Sequence, residues 1–171
     1  MKKNKQYRPI IIEPTTIERE KENLLKVVSR QHLLSILPDM RKDKKIVFTN
    51  GVFDVIHKGH IYYLQKAKQL GDILILGLNT DASVKRLKGN DRPLNNESDR
   101  AYVLNALHCI DYIVLFAEDT PIDLIKAVHP DILVKGSDYT IEKVIGREFA
   151  SETVLIDFQT GYSSTNIINK I

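Results

Sequence analysis

Tryptophan is absent from this chain of 171 residues, and cysteine occurs once, at Cys109. A single thiol can build neither a disulfide framework nor a cysteine metal site within one chain, and such usage fits a reducing cytosol. Long apolar runs are missing as well. No stretch approaches the roughly 18 residues needed to span a bilayer, and the N-terminal MKKNKQYRPIIIEP lacks the apolar core of a secretory signal. A cytoplasmic protein with no membrane partner is therefore expected. Charge of one sign is scarce too: 25 basic against 22 acidic residues leave a formal +3. That excess gives no ground for a nucleic-acid partner, whereas a phosphorylated small ligand suits it. Internal repeats and low-complexity segments are also lacking, which excludes solenoid architectures.

What is present is an ordinary globular balance, 43% hydrophobic and 27% charged, in a length that can bury one sizeable core. From Ile46 onward, short β-branched runs alternate with amphipathic stretches, the pattern of repeated βα units around a parallel sheet. Strands are expected at Ile46 to Thr49, Ile73 to Leu78, Tyr112 to Phe116, Ile132 to Val134 and Val154 to Asp157. Each is nearly continuously apolar, as a strand covered on both faces should be. Helices are expected at Ile61 to Leu70, Ser98 to Leu107, Pro121 to Val128, Ile141 to Phe149 and Ser164 to Lys170, with Thr120 as N-cap before Pro121. Residues 1–44 read differently, as a polar arm, with Met1 to Arg8 a solvated tail, followed by a helical preface from Glu18 to Met40. The apolar Leu24, Val28, Leu33 and Leu34 of that preface suggest a surface for pairing with a second copy, hence a homo-oligomer. Two parts follow: an extension over 1–44 and a main domain over 45–171.

The chemistry concentrates in Thr49-Asn50-Gly51-Val52-Phe53-Asp54-Val55-Ile56-His57-Lys58-Gly59-His60, a strand running through a glycine-bearing turn into a helix. Gly51 permits close backbone approach, and a helix beginning near Gly59 turns unpaired N–H groups and its positive dipole end toward an anion. His57 and His60, three apart with Gly59 between them, can both reach one phosphate over the helix start. The same pair could instead ligate a metal, with Asp54 as a third local ligand. The ammonium of Lys88 can reach in from the mobile-looking stretch Lys85 to Asn90. Ser163, Ser164 and Thr165, just after Gly161, would stand at the start of the last helix, either as an ordinary N-cap or as a phosphate cradle.

These residues resemble the nucleotidyltransferase superfamily with the H-x-G-H signature, here His57-Lys58-Gly59-His60. Within it the likeness is to the adenylyltransferase domains of bacterial ADP-heptose synthases. It is carried by Phe48 to Asp54, Gly77 to Val84, Arg86 to Gly89, Arg92 to Asn95 with Asp99-Arg100-Ala101, Leu133 to Tyr139 and Gly161 to Thr165. The resemblance implies a Rossmann-like doubly wound α/β fold, a five-stranded parallel sheet in the order 3-2-1-4-5 with helices on both faces. It implies transfer of AMP from ATP to D-glycero-β-D-manno-heptose 1-phosphate, with Mg2+ carried by the ATP phosphates and no protein ligand named for the metal. His57, His60 and Lys88 would act on the transferred phosphate. Asn50, Gly51, Phe53, Gly59, Arg100, Lys135, Gly136, Asp138, Ser163, Ser164 and Thr165 would bind the nucleotide, Arg100 toward the triphosphate. Asn79, Asp81 and Arg92 would serve the acceptor, a sugar 1-phosphate supplied by a separate heptose kinase. Cytidylyltransferases of the superfamily carry an arginine, directed at cytosine, where this chain has Phe158, so adenine is the implied base. Two rivals remain: a glycerol-3-phosphate-type cytidylyltransferase, and a non-catalytic nucleotide-binding regulator using the basic arm.

Overall fold

The computed structural model describes residues 24–157. The arm, the first part of the preface, Phe158, the Gly161 to Thr165 block and the last expected helix lie outside the described residues.

Five strands form one parallel sheet: β1 (Ile46–Gly51), β2 (Ile73–Asn79), β3 (Tyr112–Phe116), β4 (Ile132–Gly136) and β5 (Glu152–Ile156). Their order is β3-β2-β1-β4-β5, the expected 3-2-1-4-5. Side chains alternate across β1, so Ile46 and Phe48 enter one core cluster and Val47 the other. Two helices, α2 (Lys58–Lys68) and α4 (Glu97–Asn105), cover the Val47 face with Leu64, Ala67, Ala101 and Leu104. On the opposite face, α1 (Arg30–Met40) contributes Leu33 and Leu37, and α5 (Ile122–Val128) contributes Leu124, Ile125 and Val128. This double coverage explains why β2 is buried throughout and reads as the unbroken apolar run ILILGLN.

Several expectations are corrected. Residues 24–29 are not helical: Val27 makes a parallel bridge to Ile113, Val28 N–H donates to Ile113 O at 2.9 Å, and Ile113 N–H donates to Lys26 O at 2.8 Å. This short segment covers the exposed edge of β3, and the helix begins only after Ser29, whose hydroxyl accepts from His32 N–H at 3.0 Å. Three of the four apolar residues taken for a pairing surface are used within the chain: Leu33 is fully buried, and Val28 and Leu34 pack on the same cluster. Residues 26–40 thus pack against the sheet. Of the stretch Lys85 to Asn90, expected to be mobile, Lys85 to Lys88 form the last turn of a helix, α3 (Asp81–Lys88), capped by Thr80 at its start and ended by Gly89. Ile141 to Phe149 is not a helix but two 3-10 turns, Ile141–Lys143 and Arg147–Phe149, parted by Gly146 at φ +84°. A Cβ there would lie 2.8 Å from Ile125 Cδ1, so packing against α5 holds the break. At α5 the boundary moves by one residue, with Pro121 as N-cap and no side-chain capping bond.

Docking of α1 is open to measurement. Leu33→Ala should lower unfolding free energy by about 2–5 kcal/mol in urea denaturation, because its side chain is fully buried. A change below about 0.5 kcal/mol would show that α1 is not seated on the sheet.

Candidate active site

The carboxyl ends of β1, β2 and β4 open on one cleft of about 600 Å³, lined by Asn50, Gly51, Phe53, His60, Asn79, Lys88, Arg92, Lys135, Gly136 and Asp138, among others. The crevice beyond the strand ends is where doubly wound sheets hold ligands. Its first wall is the turn from β1 into α2. Phe53 adopts φ +49°, a left-handed conformation uncommon for a residue with a side chain, and its ring is buried. A Cβ on Gly51 would stand 2.8 Å from Phe53 Cε2, so the glycine makes room for this ring as well as for a ligand.

At the start of α2 the imidazoles of His57 and His60 stack, centroids 3.9 Å apart and planes inclined by 28°. The Phe53 ring meets His60 at 5.2 Å. Burial, then the positive potentials of His57 and Lys88, lower the His60 pKa to about 4, and burial lowers that of His57. Both rings are therefore expected neutral near pH 7, a state in which close stacking carries no like-charge penalty. His60 Nδ1 is buried with no hydrogen-bond partner among the described residues. His60 lines the cleft, whereas His57 and Gly59 are not among its lining residues and stand at the helix start behind it.

Lys88, the last residue of α3, lies at the cleft and within electrostatic reach of His60. From β4, Lys135 donates from Nζ to Asn50 Oδ1 and sits 5.9 Å from the Tyr139 ring centroid. Burial, opposed by the Asp138 carboxylate, lowers its pKa to about 8. Beneath the cleft, Thr49 and Tyr63 join their hydroxyls at 2.7 Å and both reach Val134 O at 3.1 Å, stitching α2 to β1 and β4.

Two expected site residues turn elsewhere. Arg100 is 1% exposed, donating from Nε to Asn95 O at 3.0 Å, from Nη1 to Val52 O at 2.6 Å and from Nη2 to Asp81 Oδ1 at 2.6 Å. Neither Arg100 nor Asp81 lines the cleft. Arg100 is thus a buried tie between the β1–α2 turn, the start of α3 and the segment before α4, with Asp81 as its counter-charge. Asp54, considered from sequence only as a metal ligand, accepts from Leu94 N–H at 2.8 Å and Asn95 N–H at 2.9 Å and pairs with Arg92 at 2.6 Å. Asp119, Thr120, Tyr139 and Ile145 also line the cleft and were missed. No local pattern marks them, although Tyr139 stands in the same block as Lys135 and Asp138.

The state of His60 can be read directly. Its ring resonances in NMR should stay in the neutral form down to about pH 5 and titrate near pH 4, and inorganic pyrophosphate should move that midpoint upward. Because the folded pKa lies below the ordinary 6.5, the linked stability is present above pH 6.5 and lost as the pH falls toward 4. A midpoint near 6.5 would show that the ring is solvated.

The cytidylyltransferase-like family model matches residues 48–170. Bifunctional protein HldE of Helicobacter acinonychis is 61% identical over 146 residues, 85% of this chain and 31% of the relative. Its counterpart in Helicobacter hepaticus is 52% identical over 93% of this chain and 32% of the relative. The chain thus spans about a third of the length of these relatives. Among solved structures, the lipopolysaccharide core biosynthesis protein of Thermoplasma volcanium is similar at 32% identity and TM-score 0.55, covering 70% of this chain and 99% of that one. A pantoate-beta-alanine ligase of Francisella tularensis, at 17% identity and TM-score 0.64, shares the fold. With the H-x-G-H turn, the parallel sheet and the cleft at its carboxyl edge in agreement, the chain belongs to the cytidylyltransferase-like family.

Proposed function

We propose that this chain transfers AMP from ATP to D-glycero-β-D-manno-heptose 1-phosphate in the cytoplasm, forming ADP-heptose and releasing pyrophosphate. The observation that carries the reading is the stacked His57–His60 pair at the start of α2, with Lys88 and Lys135 brought to the same cleft. The 61% identity to HldE and the likeness to a lipopolysaccharide core biosynthesis protein support this choice of pathway.

A phosphate oxygen of the sugar attacks the α-phosphorus. A new P–O bond forms, the bond from the α-phosphorus to the bridging oxygen breaks, and that oxygen leaves with the electron pair as pyrophosphate. No protein nucleophile is needed, so the chain's task is to bring two polyanions together and stabilise the charge that gathers between them. His60, neutral and desolvated, can donate an N–H to a phosphate oxygen at little reorganisation cost, while Lys88 supplies full positive charge from α3. Lys135, Gly136 and Asp138 border the nucleoside, with the Tyr139 ring beside them. Ser163, Ser164 and Thr165 would hold the β- and γ-phosphates, and Phe158 favours adenine. Asn79 and Arg92 face the acceptor. A kinase step must supply the heptose phosphate.

The residues suit Mg2+ carried in by the triphosphate rather than a dedicated cage. No group of three or more histidine, cysteine or carboxylate side chains placed to hold a metal occurs among the described residues. Of the cleft carboxylates, Asp119 is paired with Arg86 and Asp54 with Arg92, each at 2.6 Å. The ion supplies charge neutralisation along the phosphates.

Pyrophosphate release assayed with ATP or CTP, against heptose 1-phosphate or glycerol 3-phosphate, tests the assignment. Turnover confined to ATP with the heptose phosphate is expected, and turnover only with CTP overturns it. His60→Ala and Lys88→Ala should each lower kcat by about 10²- to 10³-fold with circular dichroism unchanged. A folded variant of near-normal rate removes that residue from the chemistry.

A further inference from the structure

The Asp54 carboxylate is buried at the foot of the cleft wall, its side chain 2% exposed. Its oxygens accept Leu94 N–H at 2.8 Å and Asn95 N–H at 2.9 Å, and its backbone carbonyl accepts from Asn95 Nδ2 at 2.6 Å. The remaining direction is taken by Arg92 Nη2, 2.6 Å from Oδ2. From the other side Arg100 Nε donates to Asn95 O at 3.0 Å. The segment 92–95 is thereby pinned to the β1–α2 turn at both ends.

Arg92 is only partly engaged by this arrangement. It lines the cleft, and its Nε is buried with no hydrogen-bond partner among the described residues. A buried guanidinium donor without an acceptor is costly, and a guanidinium fork is suited to a phosphate. With Nη2 held by Asp54 and Nε without an acceptor, the guanidinium has donor capacity that its own chain does not satisfy.

We propose that Asp54 is a positioning residue that, through its ion pair with Arg92 and its grip on the Leu94 and Asn95 amides, presents the Arg92 guanidinium to the phosphate of the acceptor. The proposal rests on the functional reading above for the identity of the acceptor. It also predicts that the two cation groups of the cleft divide the work: Arg92 for the incoming sugar phosphate, Lys88 and Lys135 for the nucleotide.

Calorimetry with heptose 1-phosphate, in the presence of a non-hydrolysable ATP analogue, reads acceptor binding independently of turnover. Asp54→Asn keeps the shape and an amide-accepting oxygen but sets an NH2 group or a neutral oxygen against Arg92. It should weaken acceptor binding about tenfold, the scale of one lost charge-assisted contact, while affinity for the ATP analogue changes less than about twofold. Arg92→Gln should weaken the acceptor at least as much, and Asp54→Asn added to it should weaken it no further. Equal losses for nucleotide and acceptor, full additivity in the double variant, or unchanged acceptor binding would each overturn the proposal. If Asp54→Asn fails to fold, Asp54→Glu keeps the charge and moves the carboxylate by one methylene, with the same outcomes expected. Wild-type binding of heptose 1-phosphate without turnover would sink the catalytic assignment and leave the positioning test intact. Absence of acceptor binding by the wild type would overturn the positioning role itself.

Discussion

Everything at the cleft depends on one constraint: β1 lies at the centre of a sheet in which all strands run the same way. Parallel strands deliver every following turn to a single edge, so residues far apart in the chain arrive together. Asn50 meets Lys135, which lies 85 positions on, because β1 and β4 are neighbours. The register Val47↔Ile132 and Phe48↔Leu133 fixes how far each strand projects. Had β4 been placed at the sheet's far edge, its lysine could not have reached Asn50.

On this frame the polar interior works as bracing. Arg100 and Asp54, 1% and 4% exposed, are among the five buried polar or charged residues described. Their hydrogen bonds run almost wholly to backbone groups of the turns forming the cleft wall. A buried charge is tolerated only with such partners, and in return it leaves those loops few alternative arrangements. Under the proposed function, such rigidity suits a site that places phosphates and forms no covalent bond to them.

Electrostatics then separates the cations by role. His60 is held neutral by burial and by the positive charge nearby, whereas Lys88 sits exposed at the end of α3. The helix dipole of α3 reinforces this layout, with Asp81 in its first turn and Lys85, Arg86 and Lys88 in its last. Under the proposed function, an incoming triphosphate would meet the neutral His60 flanked by ammonium groups, an arrangement that attracts anions without requiring stacked like charges in its absence.

The sequence by itself determined the strand set, the strand order through resemblance, and the gathering of His60, Asn79, Lys88, Lys135 and Asp138 at one edge. Buried parallel strands write themselves as continuous apolar runs, and βα alternation leaves little freedom of topology. The short polar helix α3 has few apolar residues to mark it, with Ser83 and Val84 its only buried residues, though Thr80 as N-cap, acid at its start, base at its end and Gly89 after it were readable. Tertiary structure alone decided the rest. Residues 24–28 became an edge-strand cover because β3 offered unpaired backbone groups, Ile141 to Phe149 broke at Gly146 because Ile125 left no room for a side chain, and Arg100 turned inward because Asp81, Val52 and Asn95 surround it. Partners so distant in sequence leave no periodic mark, so a charge on a helix reads the same whether it meets solvent, ligand or a buried carboxylate.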